Sequence, residues 1–424
     1  MSAPPALNSK PNPAQSLDEQ AKSAPESAVF VILTLGLLLG LQPLATDLYL
    51  PALPQLQQGF GAHVSQAQLT LTGFLLAFGC SQILWGPLSD RLGRRPVLLL
   101  GISGYVIAAL GCASAQSMEA LIAWRSLQGA ALGAGVMCAR AVVRDLYAPH
   151  MGAQVMSKAL TGLGVLAFLA PISGSLLVGW LGWLGWRSTM LAQAFMGCLA
   201  WLLVVLRFRE SIPQRNPQAL QAGNLLRTWS RIVRNPMFQA YNLLTCFSYA
   251  GLFTNLAASS FTYINVLHME RTQYGLMLGG NALCYIAGTF ACRRLLRSMS
   301  VRRAVAVAGV LSLTAGSIMG LAALTDLRSI WAYALPFCLY QIAHGIHMPC
   351  GQSNAIAPFP QAAGTASAIN GLVMMLMAFA MGHWLGLNLD ADSTMPLAFG
   401  IWFWSACTAI TAWTLVQRFG ISKS

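Results

Sequence analysis

One acidic residue of this chain lies where a carboxyl group could do chemistry. Of the twelve Asp and Glu residues, eleven fall in tails, loops or the ends of apolar runs. Only Asp47 lies well inside a run, that of residues 28 to 57. A carboxylate inside a membrane span is costly unless it is paired or hydrated, so such residues are functional by default. We therefore predict that Asp47 binds and releases protons. The alternative is a hydrated helix end, because Pro51 leaves the end of the run uncertain.

Arg125 is the predicted partner of Asp47. It lies seven residues into the apolar run of residues 119 to 142. At 1.5 Å per residue, Arg125 lies about 9 to 10 Å below the outer start of its run and Asp47 about 15 Å below the outer end of its own. These depths are compatible, so we expect an ion pair. That pair is either purely structural or part of the proton pathway.

Three histidines are a further candidate. His344 and His347 lie three residues apart in the run of residues 328 to 350, and His383 lies in the next run. A spacing of three places the first two on one helix face, where a proton relay or a metal site is conceivable. We expect packing rather than function for them unless Asp47 proves dispensable.

The elements that must position these residues are membrane spans. The chain is 56% hydrophobic and 9% charged, and its apolar residues come in runs of about 20, the length that crosses a bilayer. We predict twelve transmembrane helices and no soluble core. The expected spans are residues 28 to 57, 67 to 88, 97 to 115, 119 to 142, 156 to 180, 187 to 207, 237 to 260, 272 to 292, 303 to 323, 328 to 350, 362 to 386 and 396 to 417.

The distribution of basic residues predicts the orientation. With both termini in the cytoplasm, 20 of the 25 Lys and Arg residues fall on the inner side and only Arg187, Arg271 and Arg328 on the outer side, while Arg125 and Arg140 lie within spans. The net charge of +13 would suggest nucleic acid in a soluble protein. Here the basic residues are better explained as topology signals and contacts with anionic lipid head groups, so we expect no nucleic-acid partner.

The chain divides into two similar halves. We predict a disordered cytoplasmic tail over residues 1 to 27, a six-helix bundle over 28 to 207, a central cytoplasmic loop over 208 to 236, a second bundle over 237 to 417, and a tail over 418 to 424. Both halves place arginines between their second and third spans. A repeated six-span unit predicts a substrate cavity between the halves near the membrane midplane.

Motifs of enzymes and cofactor sites are missing. The ten cysteines form no C-x-x-C pair and fall in or at the ends of spans, so we expect no disulfide and no metal site. The sequence contains no Walker A loop, no H-E-x-x-H and no G-x-S-x-G. We therefore expect neither ATP-driven pumping nor hydrolysis, and no cofactor.

A short charged turn carries a specific resemblance. Residues 86 to 96 read G-P-L-S-D-R-L-G-R-R-P, which closely resembles the G-x-L-[SA]-D-R-x-G-R-[RK] loop of the major facilitator superfamily. The resemblance implies an all-α membrane protein of twelve helices in two pseudo-symmetric bundles. We predict that this loop latches the two bundles on the cytoplasmic side in the outward-facing state. Its matching residues are Gly86, Asp90, Arg91, Gly93, Arg94 and Arg95.

Two further motifs resemble those of drug/proton antiporters in that superfamily. Arg125, Gln128 and Gly129 match an R-x-x-Q-G pattern whose arginine is implicated there in proton transfer. Gly164 and the stretch around Pro171 and Gly174 look like the antiporter motif G-P-x-x-G-G, although Ala170 and Ser175 replace two of its glycines.

The subfamily is indicated by segments spread along the chain. Residues 46 to 54, the stretch holding Arg140, Arg144 and Asp145, and residues 363 to 368 resemble Bcr/CflA-type drug-resistance transporters. This implies proton-coupled export of bicyclomycin-, amphenicol- or sulfonamide-like antibiotics across the bacterial inner membrane by a monomer. We expect the cavity to include Tyr49, Gln128 and Asn370.

Two alternatives remain for the function. The resemblance does not fix direction, so proton-coupled transport of a metabolite such as a nucleoside is the nearest rival. A membrane receptor without flux is less favoured, because Asp47 and Arg125 would have no obvious purpose within its spans.

Overall fold

In the computed structural model, the described residues are 28–147, 149–212, 222–359, 362–388 and 393–420, and their regular secondary structure is entirely helical. The predicted tail of residues 1 to 27 lies outside this range, as do residues 421–424. The first half contains α1 (Ala28–Thr46), α2 (Leu53–Gly59), α3 (Val64–Leu92), α4 (Arg94–Ser114), α5 (Met118–Leu146), α6 (Pro149–Trp180) and α7 (Arg187–Arg207).

The second half repeats this arrangement after a short connecting helix. It contains α8 (Ala222–Val233), α9 (Pro236–Ser260), α10 (Arg271–Ser298), α11 (Val301–Leu324), α12 (Ile330–Ile356), α13 (Ala363–Asn388), α14 (Met395–Trp413) and α15 (Leu415–Phe419). A π-helical turn, Phe261–Val266, extends α9. Helices α1 and α2 form one span and α14 and α15 another, which gives twelve spans.

The spans differ in how apolar they are. Among the described residues, ten are long and apolar enough to cross a membrane by length and composition. The other two are α9 and α12, which at 25 and 27 residues are long enough but carry buried polar side chains such as Asn242, Asn255 and His344. A helix surrounded by other helices and a cavity does not need an apolar surface, and this explains their composition.

The first span breaks before its end. Helix α1 stops at Thr46, and a 3₁₀ turn, Leu50–Ala52, leads into α2 with Pro51 and Pro54 near the two starts. Proline is favoured at the first positions of a helix because its missing N–H would be unsatisfied there anyway. The break leaves Asp47 just after the end of α1.

The two halves meet along α3 with α13 and along α6 with α10. A Cβ on Gly386 would meet Ser65, one on Gly382 would meet Thr72, and one on Gly275 would meet Ser175. The Gln68 side chain also donates a hydrogen bond to the Ala257 carbonyl across this boundary. These contacts lie toward the end that holds the connection between α2 and α3.

Toward the opposite end, which carries Arg91 to Arg95, the halves separate. Gly364, Gly371 and Gly382 share one face of α13, because their spacings of 7 and 11 residues are close to whole numbers of turns. Gly382 touches α3, whereas a Cβ on Gly371 or Gly364 would have nothing within 4 Å. The space between the halves therefore widens toward the arginine-bearing end.

Helix α8 lies within the segment predicted as a loop. It was missed because it contains no apolar run, although its apolar and basic residues alternate with helical spacing. Ile232 is fully buried among residues of the second half, and Trp229 packs against the same cluster. Residues 213–221 before it lie outside the described residues.

Candidate functional site

A cavity of about 260 Å³ lies between the halves, near the middle of the spans. Residues of α1 and the turn after it, α3 and α6 line it from the first half, and residues of α9, α10 and α12 line it from the second. Most of the wall is apolar. The polar lining residues are Gln42, Thr46, Asp47, Tyr249, Asn255, Asn281, Tyr285, Gln341 and His344.

Asp47 is the only acidic residue in this lining. Its side chain is half-buried, and the Thr46 hydroxyl donates a hydrogen bond of 2.8 Å to its carboxylate. Its backbone N–H still donates to the Pro43 carbonyl at 2.7 Å, so Asp47 completes the last turn of α1. The break in the first span thus presents an ionisable carboxyl group to the cavity.

Helix α6 holds this break in place. A Cβ on Gly174 would collide with the backbone carbonyl of Leu48, so only glycine permits the close approach. Pro171 lines the cavity, and Gly164 lies opposite Ile286 of α10. The three residues predicted from the antiporter motif therefore lie beside the segment that carries Asp47 and along the boundary between the halves.

The predicted ion pair between Asp47 and Arg125 is not formed in this structure, in which both residues are described. The Arg125 side chain is fully buried within the first half and donates instead to the carbonyls of Thr70 (3.3 Å) and Ala45 (2.9 Å) and to the side chains of Gln128 (2.7 Å) and Gln193 (3.3 Å).

Two aromatic rings complete this arginine site. The guanidinium carbon lies 4.9 Å from the centre of the Tyr49 ring and 4.5 Å from that of Phe74, close enough for cation–π attraction. The Ala45 carbonyl belongs to the last turn of α1, where carbonyl groups lack helical partners and attract cations. Arg125 therefore holds the backbone two residues before Asp47 rather than its carboxylate.

The three predicted cavity residues lie elsewhere. Tyr49 hydrogen-bonds with Thr70, and Gln128 donates to Gln193 at 2.9 Å, so both belong to the Arg125 site. Asn370 donates to the side chains of Asn242 (2.7 Å) and Thr245 (2.8 Å) inside the second half. None of the three is among the lining residues. The sequence gives the depth of a residue along a helix, but not the direction in which its side chain faces.

Two amide side chains in the cavity lack partners. Among the described residues, neither polar atom of the buried Asn255 side chain has a hydrogen bond, and the oxygen of the Gln341 side chain has none. A buried amide without a partner costs free energy, so such groups in a cavity indicate a place where water or a ligand can bind. The sequence does not single out these two residues, because an uncharged amide within an apolar run is a weaker signal than a charge and its position does not show which way it faces.

Two histidines share one serine behind the cavity wall. The Ser248 hydroxyl lies 2.8 Å from Nδ1 of His344 and 3.4 Å from Nδ1 of His347, and the Tyr340 hydroxyl donates to the Ser248 carbonyl at 2.7 Å. His344 faces the cavity that also holds Asp47. His383, in contrast, is exposed on α13 and takes no part in this cluster.

The charged turn between α3 and α4 forms a compact network. Arg94 is only 2% exposed and pairs with Asp90 at 2.7 Å and with Asp145 at 2.9 Å, and it also donates to the Ser89 hydroxyl at 2.6 Å. Gly93, at φ +106, makes the turn into α4 in a backbone conformation that favours glycine. Gly86 lies near Met137, and Arg91 is exposed.

Glu210 is a member of this network that the sequence did not predict. Its carboxylate accepts hydrogen bonds from the backbone N–H groups of Arg94 (2.8 Å) and Arg95 (3.2 Å), where a negative charge stabilises the start of α4. It is the only acid between residues 208 and 236, which could have indicated a specific role. Among the described residues, Asp90, Arg94 and Arg95 form hydrogen bonds and ion pairs within the first half and the segment that follows it.

The subfamily residues fall around the same end of the molecule. Asp145 ends α5 as the partner of Arg94, and Arg140 is exposed one and a half turns earlier. The side chain of Arg144 lies outside the described part. Within the described ranges, no group of three or more His, Cys, Asp or Glu residues could hold a metal ion.

The fold and the central cavity define a multi-pass membrane transporter. Residues 35–382 match the family model of the Major Facilitator Superfamily, and the chain belongs to this superfamily. The chain is 27% identical to the bicyclomycin resistance protein homolog of Haemophilus influenzae over 91% of this chain and 95% of that protein. It is 30% identical to the chloramphenicol resistance protein of Pseudomonas aeruginosa, covering 78% and 77%, and 28% identical to multidrug resistance protein D of Escherichia coli, covering 81% and 85%.

Solved structures agree on the fold. The D-xylose–proton symporter superposes with a TM-score of 0.72 at 16% identity, covering 92% of this chain and 96% of that one. A partially occluded, inward-open form of the xylose transporter XylE from E. coli gives 0.73 at 15% identity, covering 94% and 100%. The major facilitator fold predicted from the sequence is confirmed.

Proposed function

We propose that the protein exports small, neutral antibiotics in exchange for protons. The observation that carries the proposal is the position of Asp47 as the only acid in the lining of the central cavity. The names of its relatives, which refer to bicyclomycin, chloramphenicol and multidrug resistance, support a drug substrate.

The cavity lining favours a ligand with amide or hydroxyl groups on an apolar body. Tyr249, Phe253, Tyr285 and Phe337 provide aromatic surface, and the unpaired amide atoms of Asn255 and Gln341 offer donors and acceptors. The lining contains no Lys or Arg, so nothing in it neutralises an anionic substrate. These features suit amphenicol- or bicyclomycin-like molecules.

Proton coupling would follow from the changing surroundings of Asp47. The proton affinity of a carboxyl group depends on its hydration and on nearby charges, and both change when a cavity opens to one side of the membrane and then to the other. Since Arg125 binds the Ala45 carbonyl, movement of the first span would also alter the distance between Arg125 and Asp47. Asp47 would then bind a proton in one state and release it when substrate enters in the other.

The state represented here would be the inward-facing one. The halves separate toward the end that carries Arg91 to Arg95, and the distribution of basic residues predicts that this end faces the cytoplasm. An exporter must load its substrate from that side.

The test is proton release when chloramphenicol is added to the detergent-purified, full-length protein. The wild type should release protons, and Asp47→Asn should not, because asparagine imitates the protonated carboxyl group permanently. The variant should still bind the neutral drug. Glu119→Gln is the matched control, since Glu119 is an exposed carboxylate at the start of α5, and it should behave as the wild type.

Vesicles with an imposed pH gradient determine the direction of transport. Drug export driven by inward proton flow supports the proposal, and uptake would favour the metabolite-transport alternative. If Asp47→Asn still releases protons and exports against a gradient, Asp47 is not the coupling residue. His344, which lines the cavity, and His347, which shares the Ser248 hydroxyl with it, then become the next candidates.

A further inference from the structure

The inner end of the second half carries arginines with no acids to balance them. All four Asp and Glu residues after position 222 follow the outer ends of spans: Glu270, Asp326, Asp390 and Asp392. Helix α9 alone, at 25 residues, separates the two ends by roughly 37 Å. At the inner end stand nine arginines, namely Arg227, Arg231, Arg234, Arg293, Arg294, Arg297, Arg302, Arg303 and Arg418.

The described acids at the inner end of the first half already have partners there. Asp90 and Asp145 pair with Arg94, and Glu210 accepts the backbone N–H groups at the start of α4. Among the described residues, no acid at this end balances the positive charge on the second half, so an anion from outside the chain can bind there.

Three of these arginines form one stripe, two on α8 and the third, Arg234, directly after it. Arg227, Arg231 and Arg234 are spaced by four and three residues, which places them on the same helix face, and all three side chains are exposed. With Ser230, Asn235 and Pro236 they line a shallow pocket. The opposite face, which holds Ile232, is buried against the second half, so the stripe is held facing outward.

Apolar side chains lie beside this basic pocket. Val233 is 47% exposed between Arg231 and Arg234, and Pro236, the first residue of α9, is exposed as well. Because α9 begins there, the pocket lies at the level where a membrane span meets the head groups. One guanidinium group can donate two parallel hydrogen bonds to two oxygens of a phosphate group. The exposed apolar residues can contact the acyl chains of the same lipid.

We propose that Arg227, Arg231, Arg234 and Ser230 bind the phosphate head group of an anionic phospholipid. The bound lipid fixes α8, and with it the connection between the two halves, to the membrane surface. Clusters of basic residues on an amphipathic helix next to a span are attracted to anionic lipids in this way.

The test is lipid retention by the purified full-length protein, measured by native mass spectrometry with added phosphatidylglycerol or phosphatidylcholine. The wild type should retain phosphatidylglycerol in preference, and the combined variant Arg227→Gln, Arg231→Gln and Arg234→Gln should bind it at least about tenfold more weakly. The matched control changes Arg293, Arg297 and Arg303 to Gln, which are exposed at the same end but outside the pocket. This control should retain the lipid.

Three results would overturn the proposal. Equal losses in the two triple variants would indicate unspecific attraction to surface charge, and equal retention of both lipids would exclude recognition of the anionic head group. Displacement of the lipid by inorganic phosphate at matched concentration would mean that the pocket takes a free anion. A further variant with lysine in place of Arg227, Arg231 and Arg234 keeps the charge, and it should preserve the preference for phosphatidylglycerol at reduced affinity.

Discussion

The two halves of the molecule satisfy their buried polar groups by different means. The first half is built around two buried arginines, Arg94 and Arg125, each with several acceptors. Among the described residues of the second half, no Lys, Arg, Asp or Glu is buried. There the buried polar groups are neutral at their usual protonation: amides, hydroxyls and imidazoles, as in the clusters around Asn370 and Ser248.

The two halves also contribute different kinds of side chain to the cavity lining. The first half provides the carboxylate, Asp47, while most of the amide and aromatic side chains come from the second half. The buried guanidinium groups of Arg94 and Arg125 need fixed acceptors, because removing one partner of a buried charge leaves that charge uncompensated. Neutral hydrogen bonds cost less to break, and under the proposed function this would permit the second half to adapt to different drugs.

The largest effect is expected for Arg94→Gln. Glutamine removes the buried guanidinium that pairs with both Asp90 and Asp145, and breaking a buried ion pair costs about 3 to 5 kcal/mol of stability. The free energy of unfolding in mixed micelles should fall by that amount. Its control is Arg91→Gln on the same turn, where the side chain is exposed and the change should be below about 0.5 kcal/mol. Similar losses in both variants would mean that the network adds nothing beyond surface charge.

A smaller loss is expected for Arg125→Lys. Lysine keeps the charge but cannot donate from three nitrogens in one plane to Thr70, Gln128, Gln193 and Ala45, and it loses the stacking on Tyr49 and Phe74. The loss of charge-assisted hydrogen bonds should lower stability by about 2 to 3 kcal/mol. Drug export should fall as well, because Arg125 holds the turn of α1 before Asp47. Wild-type stability and export together would contradict this account.

Much of the architecture could be predicted from composition, because apolar runs and the distribution of charge directly reflect the bilayer. Charged residues within the apolar runs also indicate Asp47 and Arg125. The ion pair predicted between them is not formed in the structure, since counting residues along a helix gives depth but not the direction in which a side chain faces. Glu210 meets Arg94 across 116 positions of the sequence, a contact that only tertiary packing creates. Helix α8 was missed because its signal is amphipathic spacing rather than an apolar run.

The hydrogen-bonded cluster of Asn370, Asn242 and Thr245 in the second half should contribute less to stability than either arginine site. Asn370→Ala removes the donor to Asn242 and Thr245, and the loss of these uncharged hydrogen bonds should lower stability by about 1 to 2 kcal/mol. Drug affinity should stay unchanged, because Asn370 does not line the cavity. Thermal unfolding and drug binding, measured on the same preparation, check both statements. A drop in affinity without a drop in stability would place Asn370 in the binding site after all.

The smallest change in stability is expected for Asn255→Ala, which is the same substitution at another buried asparagine of the second half. The Asn255 amide has no hydrogen-bond partner among the described residues, so its removal breaks nothing and relieves a buried polar group. Stability should therefore be unchanged or slightly higher. If the amide instead serves the ligand, drug affinity should fall by about 1 kcal/mol, or roughly fivefold. The two alanine variants thus separate a polar group kept for folding from one kept for binding. If Asn255→Ala lowered stability as much as Asn370→Ala, both asparagines would serve the fold, and the assignment of the Asn255 amide to ligand recognition would be wrong.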